Sequence, residues 1–163
     1  MGTGRAASDG RVEAVFLGPA ARELPVDVPK AHAVPGRGLE GDRYHDGTGS
    51  FSWKGRGGGR DLTLIAAEAL EALQAQHGIE LDGAASRRNV LTRGVDLDAL
   101  LGRRFRIGEA TCLGVRPCEP CAHLASLTDP GVLAGLAGRG GLRVDVLAGG
   151  TIAVGDAIVA LPG

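Results

Sequence analysis

Hydrophobic and polar residues alternate over many short stretches of this chain, and that period of two is typical of β-strands. Residues 105–107 and 110–115 flank the pair Gly108-Glu109, so they predict a β-hairpin that turns at that pair. The other stretches that predict a strand, or the start of one, are 11–17, 32–34, 60–65, 86–92, 142–147, 151–154 and 157–161. The pattern therefore indicates many short strands joined by tight turns.

Helical periodicity is confined to a few places. Residues 66–77 (AAEALEALQAQH) are rich in strong helix formers, and Leu70 and Leu73 fall on one apolar face. Gly78 is a typical residue to end this helix. Residues 95–101 predict a helical turn and 131–136 a short helix. The sum is a mainly β fold, a barrel or a sandwich with a few helices.

The organisation of the chain is simple. Residues 1–10 are small and polar, so we expect a disordered N-terminus followed by one domain over 11–163. No internal repeat and no linker divides that stretch. Glycine accounts for 28 of the 163 residues. The glycine-rich stretch 36–59 predicts an exposed functional loop.

Charge and hydropathy exclude several classes of protein. The 18 Lys and Arg residues nearly balance the 19 Asp and Glu residues, and a net charge of −1 argues against nucleic-acid binding by bulk charge. Such a balance still allows a local basic pocket. A membrane span needs an apolar run of about 18 residues, and the sequence has none. The first residues contain no hydrophobic signal core, so we expect a cytoplasmic protein.

The densest group of reactive side chains lies at 116–124 (RPCEPCAHL), where Cys118 and Cys121 form a C-x-x-C motif followed by His123. With Cys112 these residues nominally supply four zinc ligands, but the second ligand pair of the usual zinc pattern is missing. A thioredoxin-like motif would open a helix in a βαβ unit, which this context does not match. A reactive thiol or a thiolate ligand for a soft metal fits the pair better. Inert burial is the alternative, and it suits Cys112 best.

Arginine and glycine provide a second set of candidates. Arginine presents a planar fork suited to phosphate, and glycine lets backbone amides approach an anion. A solvated surface side chain is the alternative for any one of them. If Arg87 and Arg88 lie in a strand, they point to opposite faces, so at most one enters a given pocket. The candidates are Arg43, Arg60, Arg87, Arg88, Asn89 and Arg143.

An ordered series of motifs resembles a known family. The series consists of GLEGDR at 38–43, RRN-x-x-T-x-G-x-D-L at 87–97, C-x-x-C-x-x-L at 118–124 and G-x-I-x-x-G-D at 150–156. It is similar to the MOSC domain, the C-terminal domain of the molybdenum cofactor sulfurases. The resemblance covers about residues 11–161 and implies a β-barrel like the small barrel domain of pyruvate kinase.

The resemblance also implies a pocket for the molybdenum cofactor, a pterin that carries a dithiolene and a phosphate. The key cysteine of the family falls on Cys121, which ligates molybdenum in the amidoxime-reducing relatives and is proposed to carry a persulfide in others. In this interpretation Cys118 resolves or tunes Cys121, and His123 donates a hydrogen bond or shuttles a proton. The expected cofactor contacts are Arg88 and Asn89, then Arg43, Arg60 and Thr92.

Three hypotheses follow. The first is a molybdenum-dependent oxidoreductase that reduces N-hydroxylated compounds with electrons from a partner protein. The second is a non-redox sulfur carrier that receives sulfur on Cys121 from a separate cysteine desulfurase. The third is a barrel without chemistry that acts as a binding module. We expect a stand-alone MOSC protein with no pyridoxal-phosphate site, since Lys30 and Lys54 lie in predicted loops. No pattern indicates an oligomeric state.

Overall fold

The computed structural model describes residues 10–18, 24–41, 58–119 and 131–162. The helices in this part of the chain are α1 (Ala67–His77) and α2 (Val132–Gly135), and Leu97–Leu100 forms a single 3-10 turn. The strands in chain order are β1 (Gly10–Leu17), β2 (Val26–Val28), β3 (Lys30–Val34), β4 (Gly38–Leu39), β5 (Leu62–Ala66), β6 (Val90–Arg93), β7 (Arg104–Ile107), β8 (Ala110–Pro117), β9 (Leu142–Ala148), β10 (Gly150–Ala153) and β11 (Ala157–Ala160).

Seven of these strands close into a barrel, which confirms the fold class predicted from the sequence. The hydrogen-bonded order is β11-β7-β8-β9-β5-β6-β1, and β1 pairs again with β11 through Gly10 and Ile158. Closure leaves those strands without an unpaired edge. Strand β2 extends the sheet beyond β1, and β10, β3 and β4 form a separate three-stranded sheet. No described helix is long and apolar enough to span a membrane.

Strands β5 and β6 are parallel, and helix α1 makes the crossover that such a pair requires. The helix packs on the outside of the barrel, where Leu73, Ile65 and Leu136 belong to a small apolar cluster. Arg93 of β6 ties the helix to the barrel, because its guanidinium binds both Glu13 of β1 and Glu71 of α1.

The barrel interior is filled by one large apolar cluster. In β5, β8 and β9 the inward side chains alternate with outward ones, as the pleat of a strand dictates. Leu62, Leu64, Leu142 and Val144 all belong to the interior cluster, together with the fully buried Phe105. The interior is therefore a packed core, and functional side chains are to be found on the outer face and at the ends of the strands.

Asp61 connects the small sheet to the barrel. This buried residue accepts hydrogen bonds at Oδ2 from the backbone N–H of Gly36 and of Val146, both at 3.0 Å. Gly38 lies directly against the Asp61 backbone, and a Cβ at position 38 would be 2.1 Å from the Asp61 carbonyl oxygen. Its φ of +86° is a second reason for glycine at this position.

Most sequence predictions of local structure are confirmed. The hairpin turns at Gly108, the helix ends before Gly78, and strands lie close to the predicted bounds. The prediction of a strand over 86–92 is wrong at its start, because the strand begins only at Val90 and a turn precedes it. Gly10 begins β1, and the other residues of the predicted disordered N-terminus lie outside the described residues. A single domain over 11–163 stays a prediction.

Gly38→Ala should destabilise the protein more than Gly36→Ala. Both positions have positive φ, +86° and +75°, so both substitutions carry a backbone strain of roughly 1–2 kcal/mol. Only position 38 also meets an obstacle, whereas a Cβ at Gly36 would meet nothing within 4 Å. Forcing an atom into that contact costs about 1–3 kcal/mol more. Urea unfolding followed by circular dichroism measures the difference, and equal midpoints for the two variants would contradict it.

Candidate functional site

Three of the predicted site residues, Cys121, His123 and Arg43, lie outside the described residues. The described part of the candidate site is built from residues close to them in the chain. These are Cys118 and Glu119 at the end of β8, the segment 58–60 before β5, and the residues that hold both in place.

Arg88 anchors the first cysteine of the C-x-x-C motif. Arg88 is only 8% exposed, and its Nη2 donates to the carbonyl oxygens of Cys118 at 3.1 Å and Glu119 at 3.4 Å. Nε donates to the carbonyl of Gly140 at 2.9 Å, and Nη1 donates to that of Ser86 at 3.3 Å. A buried cation is tolerated when its donors are satisfied in this way. Arg88 thus joins the end of β8 to the segment before β9.

Further hydrogen bonds hold the end of β8 against the segment before β9. The backbone N–H of Cys118 donates to the carbonyl of Gly141 at 2.8 Å. The side chain of Glu119 accepts from the backbone N–H of Gly138 at 3.0 Å. The Cys118 thiol itself is free and 1% exposed. The C-x-x-C motif therefore starts from a firmly held residue whose own side chain is buried.

The conformation of Arg87 corrects one part of the sequence analysis. Arg87 has a φ of +62°, which belongs to the left-handed region and not to a strand. The rule that adjacent strand residues point to opposite faces therefore does not apply to Arg87 and Arg88. Arg87 belongs to a turn before β6, and the buried Arg88 follows this turn directly.

Asn89 and Thr92 are buried and engaged within the fold. Asn89 Oδ1 accepts from the backbone N–H and the hydroxyl of Thr63, at 3.0 and 3.1 Å, and its Nδ2 donates to the carbonyl of Phe16. Thr92 is fully buried and donates its hydroxyl to the carbonyl of Ile65 at 3.3 Å. These bonds tie β1, β5 and β6 together. These polar groups therefore serve the fold, and their contact with a cofactor stays a prediction.

Arg60 and Arg143 lie on the outside of the barrel, close to the glycine pair Gly58-Gly59. Gly59 has a φ of +86° and sits against Arg143, since a Cβ at position 59 would be 2.8 Å from the Cβ of Arg143. Its N–H donates to Asp145 Oδ1 at 2.7 Å. Arg60 reaches back toward Gly58, where an added Cβ would lie 3.3 Å from Nη1. The glycines thus allow the backbone to approach β9 closely.

Arg116 begins the densest reactive stretch of the sequence but was not among the arginine candidates for anion binding. It pairs with Arg143 across β8 and β9, next to a β-bulge at Val115. Alternation predicts that Arg143 faces outward, but the register that sets it opposite Arg116 depends on the bulge, which no sequence pattern indicates. Thr63 pairs with Arg143 on the other side, so one row across three strands carries Thr63, Arg143 and Arg116.

Cys112 belongs to the core, as the sequence analysis expected. It is fully buried in β8, on the interior side of the barrel. Burial, and secondarily the negative charge of Asp61, raises the pKa of the Cys112 thiol to about 12. A neutral buried thiol is a poor ligand and a poor nucleophile. Within the described ranges, no group of three or more His, Cys, Asp and Glu side chains could hold a metal ion.

Comparison with known families agrees with this architecture. A sequence description of the MOSC domain matches residues 41–159, which is most of the chain. The chain belongs to the MOSC domain family. A search of curated proteins gives no match.

Solved structures share the fold of this MOSC protein. The YuaD protein of Bacillus subtilis is 19% identical with a TM-score of 0.73, over 92% of this chain and 94% of that one. YiiM of Geobacillus stearothermophilus is 16% identical with a TM-score of 0.74, over 94% and 75%. YiiM of Escherichia coli is 22% identical with a TM-score of 0.66, over 95% and 70%. At these identities the likeness concerns the fold alone.

Arg88→Met should loosen the cysteine segment of this MOSC protein. The change leaves several buried carbonyls without donors, and each charged hydrogen bond contributes about 1.5–3 kcal/mol. We expect a fall of at least about 2 kcal/mol in the free energy of unfolding. In a Cys121→Ser background, Cys118 should also react with a thiol reagent at least about tenfold faster, as expected for local opening. Arg104→Met, at an exposed position of β7, is the matched control. Unchanged labelling and stability would refute the anchoring role.

The raised pKa of Cys112 predicts a pH dependence of stability. An unfolded chain loses this proton near pH 9.0 and the folded protein near about 12, so the unfolded state gains charge first. The stabilisation is complete below pH 9.0 and is lost as the pH rises toward about 12. The slope approaches roughly 1.4 kcal/mol per pH unit. Urea unfolding of wild type and Cys112→Ala between pH 8 and 11 should show the extra slope in wild type only, and parallel curves would count against it.

Proposed function

We propose that this MOSC protein binds the molybdenum cofactor beside the β8–β9 strand pair, with Cys121 as the thiolate ligand of the metal. The observation that carries the proposal is the anchoring of Cys118 by Arg88. The guanidinium of Arg88 is buried in order to hold the backbone of the C-x-x-C motif. Burial of a cation carries a desolvation penalty, and an ordinary surface loop would not require it. Cys121 follows this fixed residue by three positions in the sequence.

The described residues fit the anionic part of such a cofactor. Arg60, Arg116 and Arg143 lie around Gly58-Gly59, outside the packed core. Guanidinium groups bind phosphate in a bidentate manner, and glycine permits close backbone approach. We assign Arg60 to the cofactor phosphate, together with Arg43 of the GLEGDR motif. Arg88 and Asn89 hold the strands and the cysteine segment in position.

When bound, the cofactor would supply the two-electron redox chemistry of molybdenum. The contribution of the chain is to present a thiolate, which suits a soft metal centre, and to neutralise the phosphate. His123 lies two residues beyond Cys121 and is the candidate to hold or move a proton. The substrates we propose are N-hydroxylated compounds, reduced with electrons from a partner protein in the cytoplasm.

A sulfur carrier is the second candidate function. The observation in its favour is that the neighbouring Cys118 thiol is free and 1% exposed. A persulfide on Cys121 is destroyed when a nearby accessible thiolate attacks its inner sulfur, because a disulfide forms, the S–S bond of the persulfide breaks and hydrosulfide leaves. Burial of Cys118 lowers that risk. In this alternative a separate cysteine desulfurase loads Cys121, and the sulfur is passed on to a metal–sulfur cofactor.

Cys121→Ser should abolish retention of the metal. The protein is expressed in a host that makes the cofactor, and molybdenum and released pterin are measured per chain. We expect about one of each in wild type and less than about a tenth in the variant, because an alcohol is a poor ligand for a soft metal. Cys112→Ala is the matched control, since it removes a thiol from the core and should keep both contents.

The outcomes separate the two functions. Full molybdenum in Cys121→Ser would refute the ligand assignment. No molybdenum or pterin in folded wild type, together with a mass increase of one sulfur atom on Cys121 in anaerobically purified protein, would favour the sulfur carrier. If neither the metal nor the adduct is found, both functions fail and the binding-module hypothesis gains support.

A further inference from the structure

Arg116 and Arg143 are neighbours in an arrangement that a β-sheet normally avoids. They stand opposite each other on the adjacent strands β8 and β9. Like charges in that position repel, whereas opposite charges would stabilise the pair. The free energy of this repulsion is a cost to the fold, so an anion that binds between the two side chains would recover it.

In the part of the chain that the structure describes, no carboxylate forms a salt bridge with Arg116 or Arg143. Asp145 stands two positions beyond Arg143 on the same side of β9, where its Oδ1 accepts from the N–H of Gly59 at 2.7 Å and forms no salt bridge with Arg143. Arg116 is exposed and Arg143 partly exposed, so both are accessible to a ligand.

The local backbone brings the two side chains to one side of the sheet. Val115 is the extra residue of a β-bulge, because Gly114 pairs with Val144 and Arg116 with Arg143. Directly opposed residues of an antiparallel pair carry their side chains on the same face of the sheet, so Arg116 shares the face of Arg143. A Cβ at Gly59 would lie within 3.3 Å of the Cβ atoms of both Val115 and Arg143, so the Gly59 backbone packs on this face. Bulges commonly redirect a side chain next to a functional site. Gly59 adds no side chain to cover the arginines.

We propose that Arg116 and Arg143 form a subsite for a phosphate-type oxyanion. Two guanidinium groups on adjacent strands match an oxyanion with several acceptor oxygens. This inference rests on the proposed function, in which the oxyanion is the phosphate of the cofactor. A free phosphate ester presents the same chemistry, and the experiment below distinguishes the two sources.

The first measurement is thermal unfolding of the full chain without cofactor, at low ionic strength, with and without inorganic phosphate. Arg143→Gln should unfold at a higher temperature than wild type without phosphate, because one partner of the repulsion is removed. Phosphate should stabilise wild type and have little effect on the variant. By calorimetry, Arg143→Gln and Arg116→Gln should each weaken phosphate binding by roughly tenfold, the loss of one charged hydrogen bond. Arg104→Gln should leave both readouts unchanged.

The second measurement is the pterin content of the same variants from a host that makes the cofactor. A reduced content in Arg143→Gln would identify the cofactor phosphate as the ligand. A wild type without pterin that still binds phosphate through Arg143 would support the subsite for a free phosphate ester and refute the proposed function. Full pterin in the variant, with phosphate stabilisation unchanged, would overturn the subsite and leave the proposed function intact.

Discussion

The candidate site depends on one buried cation. Arg88 gives its hydrogen bonds to backbone carbonyls of Ser86, Cys118, Glu119 and Gly140, so three segments distant in sequence are fixed to one side chain. A guanidinium removed from water must recover its lost hydration, and carbonyl oxygens are the partners that it finds here. We call Arg88 and the four carbonyls that it binds the Arg88 clamp. Because its hydrogen bonds run to the backbone, the clamp restrains the path of the chain at Cys118 and Glu119, irrespective of the side chains there.

The clamp is itself held by the barrel. Asn89, the next residue, bonds to Thr63 of β5 and to Phe16 of β1, so Arg88 leaves the sheet at a point where three strands are cross-linked. On the other side, Cys118 N–H bonds to Gly141 at the start of β9. A continuous set of buried bonds therefore runs from the parallel strand pair to the first cysteine of the motif. Sites on rigid elements are more accurately placed than sites on free loops.

The two described cysteines show why position matters more than residue type. Cys112 lies inside the barrel, where burial keeps its thiol neutral, while Cys118 lies at the end of the same strand with its carbonyl in the Arg88 clamp. A closed barrel of seven strands with a packed interior has no room for a cofactor. Any ligand must therefore bind outside the barrel or at the ends of its strands, where Arg60, Arg116 and Arg143 lie.

The sequence predicted what depends on local periodicity and failed where tertiary contacts decide. Alternation identified β9, because every second side chain of that strand is buried. A run of helix formers followed by Gly78 identified α1, because glycine commonly ends a helix. The predicted start of β6 at residue 86 was wrong, because Arg87 adopts a left-handed backbone conformation that its residue type does not favour. Motif order located the cysteine segment and Arg88. Three of the four carbonyls that Arg88 binds, however, lie 30 to 52 residues away in the chain, and they carry no sequence signature.

The pairing register of two strands is the feature that sequence patterns predict least well. In this protein the register of β8 and β9 decides where positive charge lies on the surface. A chain with a net charge of −1 gives no indication of a basic surface. One extra residue at Val115 sets Arg116 opposite Arg143, and that pairing concentrates positive charge on a protein whose net charge is −1. A one-residue change in pairing would move such a side chain to the other face of the sheet. The local field at this site is therefore a property of the β-bulge as much as of the arginines, and it cannot be obtained from composition.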